Sequence, residues 1–225
     1  GMSRDDLLKA NADIVRGVTG EVVKASPKAI LIIVTNPMDV MTHLAWKVSG
    51  LEHRKVMGMG GVLDSARFRT FVAWEAGVSP ADVEALVLGG HGDQMVPLPR
   101  FTTVKGVPIT EMFSAEKVNA LIERTRNGGA EIVGHLKTGS AYYAPGASVF
   151  EMVKSIILDE KRMLPTAAYL TGQYGVEGVY AGVPAILGAG GVEKIVELKL
   201  SSEEKEGFAR SVSAVKGLIE KLGIK

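Results

Sequence analysis

The sequence predicts an α/β protein in two parts, with strand–helix alternation over residues 1–61 and an α+β arrangement of hairpins and long helices over residues 62–225. Three observations carry this. The run Ala29-Ile-Leu-Ile-Ile-Val34 is apolar and β-branched with no alternation, as expected of a strand covered on both faces of a parallel sheet. Stretches with helical periodicity lie on either side of it. Further on, Lys105-Gly106 stands between Thr102, Thr103, Val104 and Val107, which is a hairpin signal rather than a crossover.

From the start of the chain, Asp5 to Ala25 reads as a helix. Ser3 and Asp5-Asp6 suit its beginning, and Leu7, Leu8, Ile14, Val15, Val18, Val22 and Val23 form its apolar face. Pro27 closes it. The strand Ala29–Asn36 ends at Thr35-Asn36-Pro37, and Pro37 opens a helix over Met38–Ser49. Ligands of open parallel sheets bind at the carboxyl ends of strands. Asn36 is therefore placed to bond a ligand, although an ordinary strand-to-helix cap explains it equally. Lys55–Met59 is a short second strand. Val62–Gly77 reads as a helix, Glu84–His91 as an apolar strand breaking at glycines, and Glu111–Leu136 as a helix bent at Asn127-Gly128-Gly129. A helix over Ala147–Leu158, antiparallel strands over Met163–Tyr174 and Gly178–Leu187, and an amphipathic helix over Ser202–Leu222 complete the chain.

Composition removes several classes of function. A net charge of +1 gives no electrostatic reason to bind nucleic acid or an anionic membrane. Without cysteine there is no disulfide framework, thiol nucleophile or thiolate metal site. The longest apolar run is too short to span a bilayer, and Met2 is followed by Ser-Arg-Asp-Asp rather than an apolar segment, so a cytoplasmic protein is expected. His43 and His135 read as mid-helix residues and His53 as part of a polar linker. No pair has metal-ligand spacing, and no metal is expected.

The chemistry concentrates in Gly58-Met-Gly-Gly-Val-Leu-Asp64-Ser-Ala-Arg67-Phe-Arg69 and Gly89-Gly-His91-Gly-Asp93. Asp64 and Arg67 are three residues apart, so one helical face presents both a carboxylate and a guanidinium. A carboxylate beside an imidazole orients it and favours its charged form. An arginine is a two-pronged clamp for a carboxylate. Together, Asp64, Arg67 and His91 read as acid/base chemistry on a small carboxylic acid.

Gly-Val-Leu-Asp-Ser-Ala-Arg-Phe-Arg, Gly-Gly-His-Gly-Asp-Gln-Met-Val-Pro-Leu and Val-Thr-Asn-Pro-Met-Asp, in this order, resemble the lactate/malate dehydrogenase superfamily over the whole chain. The resemblance is greatest to its bacterial malate enzymes of the lactate-dehydrogenase-like type. It implies the second part of a doubly wound Rossmann sheet over residues 1–61 and the catalytic domain over 62–225. It also implies NAD-dependent oxidation of (S)-malate to oxaloacetate, a step of the tricarboxylic acid cycle, in a homodimer or homotetramer. On the same resemblance His91 is the proton acceptor, Asp64 its partner, Arg67 the clamp for the C1 carboxylate, and Arg4 a group carried in on a mobile loop to polarise the C2 carbonyl. Asn36 positions substrate and nicotinamide, while Asn11, Val34 and Thr35 lie at the cofactor and Ala141 lines the pocket. Asn11 reads equally as a solvent-facing residue.

The sequence also departs from this pattern. Gly188-Ala-Gly190-Gly191 fails the Gly-x-Gly-x-x-Gly spacing and reads as a tight strand-to-helix turn; Gly58-Met-Gly60-Gly61 fails similarly. The dinucleotide fingerprint and its acidic ribose ligand belong to a half of about 80 residues that the family places before Gly1. Gly1-Met2 can also be read as an added glycine before an initiator. Two alternatives follow: L-lactate dehydrogenase, whose distinguishing loop residue precedes Gly1, and a C-terminal portion that assembles but does not bind NAD alone. Ser65, Gly90 and Gln94-Met95, with Gly139–Pro145, resemble the malate branch.

Overall fold

The computed structural model describes residues 4–224, with the side chains of Arg4 and Asp5 outside that description. Helix α1 (Arg4–Ala25) leads into β1 (Leu31–Ile33), α2 (Met38–Ser49), β2 (Val56–Gly58) and α3 (Gly61–Ala76). Short strands follow, β3 (Val83–Glu84), β4 (Val87–Leu88), β5 (Val96–Pro97), β6 (Thr103–Val104) and β7 (Val107–Pro108), then α4 (Ile109–Met112), α5 (Ala115–Leu136) and α6 (Tyr143–Ile157). The chain ends with β8 (Arg162–Thr171), β9 (Glu177–Gly188), β10 (Gly191–Ile195) and α7 (Ser202–Lys221).

Five strands form a mixed sheet in the order β1-β2-β8-β9-β10. Only β1 and β2 run parallel; β2 meets β8, β8 meets β9 and β9 meets β10 antiparallel. β1 is expected to be buried on both faces, yet its three residues are only half-buried. Leu31 and Ile33 reach the cluster of α1 and α2, while Ile30 and Ile32 reach that of α3 and α6. Both faces are thus apolar, but β1 stands at the sheet edge among the described residues, with a neighbour on one side only.

α1 divides its apolar residues between two stripes instead of presenting the single face expected. Leu8, Ala12, Val15 and Thr19 are buried at helical spacing, whereas Leu7, Ile14, Val18 and Val22 form an exposed stripe beside them. Three other expectations are corrected. Glu84–His91 is not one strand: β3 pairs with β6 while β4 pairs with β5, so the chain changes sheets at Ala85-Leu86. α5 runs unbroken through Asn127-Gly128-Gly129, because Val118, Leu121, Thr125 and Gly128 keep one buried face against the rest of the fold. Gly188–Gly191 turns into β10 rather than a helix, and Ala189 N–H donates to Asp159 across that turn at 2.7 Å. The 103–108 hairpin and terminal helix form as expected, with a Ser201/Glu204 capping box starting α7.

His43 is buried in a cage of Trp46, Tyr169 and Tyr180, and this burial lowers its pKa to about 4. It serves as a neutral packing residue. His135 lies in the last turn of α5 rather than mid-helix.

One contact fixes where β4 ends. Gly89 and Gly182 exchange backbone hydrogen bonds of 2.9 and 3.0 Å, which pins the residues before His91 to the centre of β9. A Cβ at position 182 would run into the Gly89 carbonyl oxygen, so the strands approach this closely only because a glycine is there. Gly182→Ala is expected to lower stability by about 1–3 kcal/mol, read as a reduced urea midpoint. An unchanged midpoint would show that the bridge is not tight.

Candidate active site

α3 begins directly after β2, and its first two turns carry Asp64 and Arg67 on one face. The Gly89–Gly182 bridge brings the end of β4 over that face, so His91 meets Asp64 although 27 residues separate them. His91 Nδ1 lies 2.8 Å from Asp64 Oδ2. An ionised carboxylate can only accept, so Nδ1 carries a proton and Nε2 is the nitrogen left for a reacting group. The other oxygen, Oδ1, accepts from Arg67 Nη1 at 3.3 Å. The Asp64 side chain is 2% exposed, against 15% for His91 and 13% for Arg67. One buried carboxylate therefore serves two partially accessible partners.

The His91 imidazole has a raised pKa. Burial alone would lower it and the Arg67 charge opposes protonation too, but the hydrogen bond and charge of Asp64, helped by the charge of Asp39, outweigh both. A histidine so placed holds a proton more firmly than in water yet can still release it.

Arg67 lies along the face of α5. An ideal Cβ at Gly128 would sit 3.2 Å from Arg67 Cδ, so the glycine pair expected to bend the helix instead leaves room for the arginine's aliphatic stem. Arg67 Nε is buried without a hydrogen-bond partner. The Arg67 side chain lines the cavity, where its guanidinium suits a carboxylate.

These groups face a cavity of about 510 Å³. Val34, Asn36, Met59, Leu63 and Ala141 join Arg67 and His91 in lining it, with Arg126 and Ser140 at its polar edge. The strand-end residues and the catalytic motifs thus converge. Of the remaining expected site residues, Asn11 Nδ2 donates to the Asn36 carbonyl oxygen at 2.7 Å, so it braces the strand end and does not line the cavity. Thr35 is exposed beside it. The Arg4 side chain lies outside the described residues. Ser65 accepts the Val87 N–H at 3.0 Å and is structural, and Arg69 turns toward Glu84, away from the cavity.

Sequence reasoning passed over two residues. Arg126 lines the cavity and its Nε reaches the Met95 carbonyl at 3.4 Å, which ties α5 to the segment after His91. Asp39 is 3% exposed, and its Oδ2 accepts the His91 backbone N–H at 2.7 Å. Its signal in the sequence is an acid in a mostly apolar stretch, with Met38, Val40, Met41, Leu44 and Ala45 around it, all of which the structure buries.

Comparison with known proteins identifies the family. Residues 61–223 match the lactate/malate dehydrogenase alpha/beta C-terminal domain, and residues 1–58 match the NAD binding domain of the same family. Malate dehydrogenase of Desulforudis audaxviator is 56% identical over 224 residues, covering all of this chain and 72% of that protein. That of Nostoc punctiforme is 57% identical over 221 residues, covering 98% of this chain and 68% of its own length. Among solved structures, malate dehydrogenase from Salinibacter ruber superposes with a TM-score of 0.96 at 48% identity, over 99% of this chain and 73% of that one. The lactate dehydrogenase of Cryptosporidium parvum, in complex with lactic acid and nicotinamide adenine dinucleotide, gives 0.94 at 41% identity, over 100% and 74%. With both domains matched and identities this high across the full chain, the protein belongs to the lactate/malate dehydrogenase family.

Proposed function

We propose that this chain carries the catalytic residues of an NAD-dependent malate dehydrogenase, interconverting (S)-malate and oxaloacetate as in the tricarboxylic acid cycle. The observation that carries this reading is a buried Asp64 bonded at once to an imidazole and to a guanidinium, with His91 and Arg67 both lining one cavity.

His91 Nε2 takes the proton from the substrate's 2-hydroxyl in oxidation and returns it in reduction. Asp64 fixes the ring and stabilises the imidazolium, and acid/base assistance of this kind contributes roughly 10²–10⁴-fold. Arg67 holds the C1 carboxylate with two parallel bonds. On the family pattern Arg4, which here is the first residue of α1, would polarise the C2 carbonyl. Bound NAD supplies the hydride acceptor. Val34, Met59, Leu63 and Ala141 give an apolar wall suited to a nicotinamide ring, and Asn36, braced by Asn11, offers its polar contacts. The fit of this chain's own residues is therefore to the nicotinamide end of the cofactor. The sequence contains no Gly-x-Gly-x-x-Gly fingerprint for the pyrophosphate.

The exposed apolar stripe of α1 supports self-association as a homodimer or homotetramer. A cytoplasmic setting agrees with the lack of cysteine, and among the described residues no helix is long and apolar enough to cross a membrane. The malate reading is favoured over lactate because the curated relatives named above, 56% and 57% identical, are malate enzymes. A lactate enzyme is nevertheless superposable, so comparing oxaloacetate with pyruvate as substrates decides between the two.

In a preparation that turns over substrate, His91→Asn is expected to abolish turnover while leaving equilibrium NADH binding nearly unchanged; weakened NADH binding would remove the acid/base assignment. Arg67→Lys replaces a fork by a point charge and is expected to raise KM roughly 10- to 100-fold, with a smaller effect on kcat. An unchanged KM would rule out the clamp.

A further inference from the structure

Behind His91 lies a second buried carboxylate that the chemistry above does not use. Among the described residues, the buried acids are Asp39 and Asp64. Asp39 stands in the first turn of α2, which Pro37 starts where β1 ends. Its Oδ2 accepts the backbone N–H of His91 at 2.7 Å, and its Oδ1 is buried without a hydrogen-bond partner. The adjacent peptide is held in the same way: Gly90 N–H donates to Ser211 Oγ of α7 at 2.7 Å. Asp39 Oδ2, Ser211 Oγ and Val215 Cγ2 converge on Gly90 so closely that an ideal Cβ there would lie 3.4, 3.4 and 3.1 Å from them. Two elements distant in sequence thus grip consecutive backbone groups of the histidine loop.

A neutral acceptor such as Ser211 suffices to hold an N–H. A carboxylate in the same role does more, because its charge is felt by the nearby imidazole through a poorly screening interior. We propose that Asp39 is a positioning residue for His91, fixing its main chain and acting as a second anion, beside Asp64, that favours the protonated imidazole. The proposal rests on His91 being the acid/base group. Other charges around the imidazole are Asp64 and Arg67 on α3, Arg126 on α5 and Asp93 on its own loop, and α7 presents the uncharged Ser211 and Val215. Burial raises the Asp39 pKa to about 6, and the bond from His91 N–H and the His91 charge work against that rise. The carboxylate is therefore mostly ionised at neutral pH, where it acts.

The decisive variant is Asp39→Asn, whose amide oxygen can keep the His91 N–H bond while the charge is lost. His91 titration is followed on the full chain by the ¹³C–¹H signal of its ring Cε1, assigned by its disappearance in His91→Asn. Removing an anion weakens proton binding, so the midpoint is expected to fall by about half a pH unit or more, roughly a threefold or greater loss of proton affinity. An unchanged midpoint in a folded variant, judged by near-ultraviolet circular dichroism, would overturn the charge role and leave Asp39 as an anchor only. If the variant does not fold, the unmodified protein still decides. With ¹³C-carboxyl-labelled aspartate, the His91 curve should carry a second inflection at the Asp39 midpoint, and a single-step curve would sink the proposal.

Catalysis gives an independent reading. Oxaloacetate reduction needs protonated His91 and is lost as pH rises through its pKa, so in Asp39→Asn that limb should move to lower pH. A loss of rate at every pH with no such movement would also count against the charge role. A shifted titration in a chain without malate turnover would support Asp39's effect while defeating the proposed function. Turnover with an unshifted titration would do the reverse.

Discussion

The hydrogen bond between His91 Nδ1 and Asp64 Oδ2 is the interaction on which the site depends. It sets the tautomer and so leaves Nε2 for the substrate, and it raises the imidazole pKa against the effect of burial. It also brings Arg67 into the same electrostatic unit through the other carboxylate oxygen. Removing one partner from such a buried pair leaves an uncompensated charge, which costs far more than a surface ion pair contributes. The exposed pairs, such as Lys24–Glu21, have no comparable weight.

Much of the architecture exists to hold this pair in register. The mixed sheet gives β2, after which α3 carries Asp64 behind His91 and Arg67, and β9, to which the His91 strand end is pinned by a glycine-to-glycine bridge. Around α3, which carries Asp64 and Arg67, the other helices contribute support. α1 braces Asn36, α5 gives Arg67 a flat face at Gly128, and α7 and α2 hold the two peptides of the histidine loop. Several of these contacts join residues that lie far apart in the chain.

This explains what was legible in the sequence. The Asp64–Arg67 spacing on one helix is local, and the strand ending at Asn36 and the glycine-framed His91 carry turn signals at short range. The Gly128-Gly129 pair signals a helix bend locally, whereas the space it leaves is filled from another helix, by the stem of Arg67. The apolar face of α1 was counted as one because composition does not say which stripe meets α2. Asp39 was not singled out in the sequence, where an acid in a helix's first turn is explained by a local electrostatic preference. Its actual partner is a peptide N–H 52 residues away, which no local rule reaches.

The Ser211–Gly90 bond spans 121 residues and comes from the last helix of the chain. During synthesis from the N-terminus, Asp64, Arg67 and His91 are all made well before α7 exists. The histidine loop then has its carboxylate partners but only one of its two backbone clamps. The second backbone clamp on the histidine loop is therefore added only when α7 docks.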